Sequence, residues 1–247
     1  MAEITVVADA DSLADAAAQY FVERAREAIA QHGRFAVALS GGSTPRAMFA
    51  RLAAAPMRDA VDWPRVHVFW GDERMVGPED EASNFRMARE TLLDAVSLPA
   101  ANIHRIRGED RPPLAALACE LDLRDFFRTP RAPVFDLVLL GLGDNGHTAS
   151  LFPGTAALRE TERLAVAQYV EVVAQWRVTF TVPLINAAAH IAFLVAGAGK
   201  ADVLRRVLDG PYDPDVLPAQ LIQPRDVALL CLVDAAAADG LSLRGVR

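Results

Sequence analysis

Residues 134–154 read VFDLVLLGLGDNGHTASLFPG, an apolar run that breaks into a turn rich in glycine. Val134–Leu140 has the character of a buried strand. Gly141, Gly143 and Gly146 then bracket Asp144, Asn145 and His147. Glycine at such a junction permits positive φ and lets a ligand approach the backbone closely. His147 is the only side chain of the stretch whose unperturbed pKa lies near neutrality. The three glycines match the G-x-G-x-x-G spacing of a dinucleotide site, which also requires a long following helix and an acid about 20 residues on. Pro153-Gly154 interrupts the segment first, and no strand ends in an acid at that distance. The stretch therefore reads as a catalytic loop, the plain alternative being a glycine turn whose histidine only packs.

Working outward, short apolar runs alternate with helical periodicity. Ile4–Ala8 is a strand candidate and Asp11–Gln31 an amphipathic helix ended by Gly33. Phe35–Leu39 reads as a buried strand, followed by Ser40-Gly41-Gly42-Ser43-Thr44-Pro45 and a helix from Pro45 to about Ala54. Val66–Trp70 is a strand running into the polar loop Gly71-Asp72-Glu73-Arg74, with a helix from Ser83-Asn84 to about Leu93. Ile103–Ile106 is a short strand, Leu114–Phe127 a helix and Thr129–Pro133 a loop. Beyond the central stretch, Val170–Val173 and Arg177–Val182 look extended, the second with alternation at Val178, Phe180 and Val182. Ile191–Val195 is a buried strand, then Gly197-Ala198-Gly199-Lys200 and a helix to about Leu208. Pro211–Pro218 is a loop before a last strand, Val227–Val233, and a short Ala-rich tail. This alternation predicts an α/β, Rossmann-like fold: a largely parallel sheet with helices on both faces. Neither a repeat nor a linker divides the 247 residues, so one domain over 1–247 is expected.

Four polar loops follow directly on predicted strands: SGGSTP, GDER, GLGDNGH and GAGK. In an open parallel sheet ligands bind beyond the carboxyl ends of the strands, so the four converge on one edge. SGGSTP sets Gly42, Ser43 and Thr44 at a helix N-terminus, where free N–H groups and the dipole favour a phosphate. An ordinary Ser/Thr cap is the alternative. Lys200 falls at a helix start, where the dipole disfavours a cation unless an anion joins it; a solvated lysine is the alternative. Arg74 either pairs within its turn or holds a phosphate or oxyanion. Arg177 reads as a surface or structural residue. No histidine pattern has metal-ligand spacing, and neither HExxH nor G-x-S-x-G occurs. Ser150, three residues after His147, reads as a capping or packing residue. A base acting on water fits this inventory better than a covalent nucleophile.

The chain is 52% hydrophobic and 23% charged, with a formal net charge of −7. That balance speaks against nucleic acid or an anionic membrane as partner. Cys119 and Cys231 stand apart in apolar contexts and read as buried, reduced thiols. The N-terminus lacks the pattern of a signal peptide, and no apolar run approaches the ~18–20 residues of a span, so a cytoplasmic protein is expected.

SGGSTP at Ser40–Pro45, WGDER at Trp70–Arg74, SNFRMARETLL at Ser83–Leu93, GLGDNGHTASLFPG at Gly141–Gly154 and LPAQLI at Leu217–Ile222 together resemble the 6-phosphogluconolactonase family. These are the lactone hydrolases of the pentose phosphate pathway. SGGSTP is shared with the related glucosamine-6-phosphate deaminases, whereas HTASLFPG is characteristic of lactonases. The resemblance implies hydrolysis of 6-phospho-D-glucono-1,5-lactone without cofactor or catalytic metal. It makes His147 the general base and assigns Gly42, Ser43, Thr44, Arg74 and Lys200 to the substrate and its phosphate, with Arg74 also counted as catalytic. A monomer or weak homo-oligomer is expected. The family's usual Asp before Gly-His is here Asn145, next to Asp144, and Asn145 is counted with the substrate-binding residues. Two rival functions are a sugar-phosphate isomerase/deaminase and a non-catalytic sugar-phosphate-binding regulator. The first wants further carboxylates by the histidine, and Thr148–Phe152 supplies none. The second has no use for an intact base.

Overall fold

The computed structural model describes residues 2–129, 133–224, 227 and 229–242. Its strands are β1 (Glu3–Val7), β2 (Phe35–Leu39), β3 (Val66–Trp70), β4 (Asp72–Arg74), β5 (Ile103–His104), β6 (Leu137–Leu140), β7 (Ala165–Val170), β8 (Gln175–Phe180), β9 (Ile191–Val195) and β10 (Leu229–Asp234). The helices are α1 (Ala10–His32), α2 (Ser43–Leu52), α3 (Asn84–Thr91), α4 (Pro112–Phe127), α5 (Val182–Asn186) and α6 (Ala201–Asp209).

Seven strands form one parallel sheet in the order β1-β10-β9-β6-β2-β3-β5. Successive strand side chains point to opposite faces. Every residue of β2, β6 and β9 is buried, so both faces of the sheet are covered there. Helix α1 supplies part of that cover through Leu13, Ala17, Phe21, Ala25 and Ala28, spaced to share one face. Asp9 caps its start by accepting the Ser12 N–H, and Gly33 ends it at φ 85°.

The chain leaves β2 toward β3 on one side, and β6, on the other side of β2, leads on to β9. The strand order therefore reverses between β2 and β6, and at such a switch point the two following loops diverge and open a crevice. SGGSTP follows β2 and GLGDNGH follows β6.

A second sheet, β4-β8-β7, is antiparallel. Here the structure corrects the sequence reading. Gly71–Arg74 is not all loop: three residues pair with β8, a stretch too short and too charged to announce itself. The extended segment read at Val170–Val173 ends at Val170, and Glu171–Val173 is a 3-10 turn. Strand β7 itself went unread because AVAQYV buries only three of its residues, without alternation. Strand β6 begins only at Leu137; just before it the Asp136 N–H donates to Ala36 O (3.0 Å) and the Asp136 carboxylate accepts the Ala36 N–H (2.7 Å). The short helix α5 was not read. Cys231 is buried as expected, while Cys119 is only half-buried. Part of the loop at Thr129–Pro133 (residues 130–132) and Ala228 of the last strand lie outside the described residues.

Candidate active site

A cleft of about 310 Å³ lies at the switch point. Gly41, Gly42, Gly143 and His147 line it from the two loops, and Asp72, Arg74 and Arg177 line it from the second sheet.

The His147 ring is fixed from three sides. It stacks on Phe152, with centroids 3.9 Å apart and planes 14° from parallel. It lies directly over Gly143, where a Cβ would stand 2.0 Å from Nδ1 and Cε1. Asn145 Oδ1 stands 2.5 Å from Nδ1 and 3.3 Å from the His147 backbone nitrogen. A backbone N–H only donates, so the Asn145 atom facing both is the oxygen. Nδ1 must then carry a proton and donate it, and Nε2 is left with the lone pair. Burial is the main cause that lowers the His147 pKa to about 4; Asp72 opposes it and Arg177 and Lys200 add to it. The ring is neutral at neutral pH.

The loop is held from below. Gly146 has φ 77°, and a Cβ there would meet Leu217 at 2.6 Å. The Ala219 N–H donates to Gly146 O at 2.9 Å, so the LPAQLI stretch buttresses the histidine loop. Thr148 Oγ1 donates to Gly141 O (2.9 Å). Ser150 is fully buried, and its Oγ donates to Asp72 Oδ2 at 2.6 Å, which ties the loop to β4.

WGDER and SNFRMARETLL prove to be one unit. Glu73 is buried, and its carboxylate accepts the Asn84 and Phe85 N–H groups at the start of α3, the Arg74 N–H and the Ser83 hydroxyl. Burial raises its pKa, and those N–H donors pull the other way. Asn84, thus placed, donates to Asp72 O (2.9 Å) and packs against Gly41 so closely that a Cβ there would lie 2.0 Å from Oδ1.

His147, Arg74 and Gly42 therefore line the cleft as read from sequence. Gly42 sits at φ 108° as the N-cap of α2, with no side chain capping the helix. Ser43 and Thr44 follow in the first turn and do not themselves line the cleft; that turn carries the N–H groups left without intrahelical acceptors. Lys200 is the N-cap of α6 and forms an ion pair with Asp144 of the histidine loop; it does not itself line the cleft. Asn145 holds the histidine instead of lining the cleft. Arg177 corrects the sequence reading: it lines the cleft, half-buried, instead of lying on the surface. Asp72, Asn84 and Phe152 also line it; each lies in a quoted motif, but nothing local distinguishes it there as a cleft residue. Among the described residues no group of three or more His, Cys, Asp or Glu could hold a metal ion, and no helix is long and apolar enough to cross a membrane.

The family model described as glucosamine-6-phosphate isomerases/6-phosphogluconolactonase matches residues 8–231. A 6-phosphogluconolactonase from Nostoc sp. is 42% identical over 243 residues, which is 97% of this chain and 98% of that one. A crystal structure titled as the devB protein superposes with a TM-score of 0.90 at 34% identity, covering 98% and 100% of the two chains. The 6-phosphogluconolactonase of Trypanosoma brucei does so with a TM-score of 0.86 at 28% identity, covering 98% and 99%.

Proposed function

Because the chain belongs to the glucosamine-6-phosphate isomerase/6-phosphogluconolactonase family and is an enzyme of its lactonase kind, we propose that it hydrolyses 6-phospho-D-glucono-1,5-lactone with His147 as the base. It acts as one domain in the cytoplasm, as a monomer or weak homo-oligomer. The observation that carries the mechanism is the tautomer: Nδ1 is committed to Asn145, so Nε2 is the basic atom of a neutral ring in the cleft.

Nε2 takes a proton from water as the water oxygen bonds to C1, and the carbonyl electron pair moves onto O1. The adduct collapses, the C1–O5 bond breaks, and the ring oxygen leaves with the proton held on His147. The new acid then ionises to 6-phosphogluconate. A base of pKa about 4 is always available at neutral pH but weak. A δ-lactone, an ester held in its less stable conformation, is reactive enough for such a base. Positioning comes from the far end, where the first turn of α2, Arg74 and Lys200 meet the phosphate.

Asp72 is the observation that favours the rival, proton-moving deaminase chemistry, since it puts a carboxylate in the same cleft. Its Oδ2 is bonded to Ser150 and its Oδ1 faces Asn84 at 3.4 Å, which suits an anchor better than a free base. Acid release from freshly made 6-phosphogluconolactone above the spontaneous rate, with no ammonia from glucosamine 6-phosphate, is the expected result. Ammonia release would reverse the assignment, and neither activity would leave a binding protein.

Lys200→Ala is expected to raise KM about thirtyfold, with kcat nearly unchanged, because roughly 2 kcal/mol of charge pairing is lost. Its present partner Asp144 is largely exposed, so that pair holds the ammonium only weakly and yields it to a phosphate. Unaltered binding of 6-phosphogluconate by the variant would put the phosphate elsewhere.

The pH profile tests the tautomer. A base must be neutral, so kcat/KM should fall as pH drops through the His147 pKa, near 4. Asn145→Asp adds a negative charge beside the ring, favours the imidazolium and moves that acidic limb to higher pH. Asp144 already acts in this direction, but its carboxylate is paired with Lys200, which also lowers its own pKa, so a carboxylate at residue 145 adds to its effect. A limb that stays in place would remove residue 145 or His147 from the mechanism.

A further inference from the structure

Strands β4 and β8 put Arg74 and Arg177 directly opposite one another. Residues two apart share a face, so Asp72 joins them, and all three line the cleft. Like charges directly opposed on an antiparallel pair destabilise it. Little compensates them here. Both Nε atoms are buried without a hydrogen-bond partner. Arg74 gives one N–H to Ala82 O, whereas Arg177, among the described residues, donates no side-chain hydrogen bond and forms no ion pair. Asp72, the acid of that face, already accepts from Ser150. Two cations against one acid leave positive charge turned to the cleft, an arrangement that an anionic ligand group would complete.

The two arginines differ in position. Arg74 is held at Ala82 O, just before α3, whereas Arg177 has Gln168 opposite it on its other side, and Gln168 donates to Ser150 O in the histidine loop; Arg177 therefore stands toward that loop and Arg74 toward α3.

We propose that Arg177 is the residue that holds the C1 end of the ligand: the oxyanion formed when water adds to the lactone carbonyl, and then the product carboxylate. This rests on the lactonase reading above. As the water oxygen bonds to C1, the carbonyl electron pair moves to O1 beside the guanidinium, and the proton goes to His147. After the ring oxygen leaves, the same fork faces the two oxygens of the carboxylate, a geometry that suits arginine better than lysine. Arg74 is left to the phosphate side.

The test compares two ligands that differ only at C1. 6-Phosphogluconate carries a carboxylate there, and D-glucitol 6-phosphate a neutral hydroxymethyl group. Calorimetric titration of Arg177→Gln is expected to show 6-phosphogluconate bound about tenfold more weakly or worse, with glucitol 6-phosphate within about twofold of the parent. The retained glucitol phosphate affinity also reports that the variant is folded. Should Arg177→Gln not fold, Arg177→Lys keeps the charge and is expected to show the same selective loss, smaller in size. Equal losses for both ligands would put Arg177 at the phosphate, and no loss for either would remove it from the ligand; each overturns the proposal. A parent that binds neither ligand would overturn the lactonase reading as well.

Discussion

His147→Gln should lower kcat for 6-phosphogluconolactone hydrolysis by about 10²–10⁴-fold and leave KM nearly unchanged. Glutamine has similar reach and can still accept from the cleft, but it cannot take the proton of water at neutral pH. The proposed phosphate contacts lie elsewhere, on the first turn of α2 and at Arg74 and Lys200, so ground-state binding should survive. Initial rates must be corrected for spontaneous hydrolysis, which sets the floor of the measurement. A variant that lost affinity but kept kcat would show that the imidazole only positions the sugar.

Gly143→Ala is expected to cost about 10²-fold in kcat/KM without touching any group that reacts, since a misplacement near 1 Å can have that effect. The added methyl would lie 2.0 Å from the imidazole, so the ring must leave its stack on Phe152 and its bond to Asn145. Gly143 is not among the glycines with positive φ, so alanine meets no backbone penalty there and the effect is steric. Affinity for 6-phosphogluconate should change little. The double variant Gly143→Ala/His147→Gln decides the route: if the methyl acts through the imidazole, the double variant is no worse than His147→Gln alone. Multiplying losses would mean that Gly143 serves the substrate directly, through close backbone approach.

Both expectations turn on a residue that the sequence singles out, His147, and on surroundings it does not. The strands of the parallel sheet were legible because burial on both faces demands uninterrupted apolar runs, such as FAVAL and IAFLV. The loops behind them were legible because glycine and helix-start residues have local backbone reasons to occur. Strand β4 was not, because Asp72–Arg74 owes its extended form to pairing with β8, about 100 residues away in the chain. For the same reason Arg177 was misjudged: its strand was read nearly correctly, but its placement depends on which residue stands opposite. Asn145 was visible as a departure from the family's pattern. Its role emerged only when one oxygen was found facing both a backbone N–H and a ring nitrogen.

By itself, then, the sequence determined the alternation of strands and helices, the edge of the sheet where the cleft lies and the histidine proposed as its base. These follow from periodicity, glycine placement and chain order, which are local properties. The tertiary structure alone decided that the histidine is neutral and which nitrogen is basic. It also decided that Glu73 and Ser150 are anchors and that two arginines stand opposite each other on adjacent strands of the cleft wall. Those properties depend on burial and on distances between residues far apart in the chain, and neither is written in any single stretch of it.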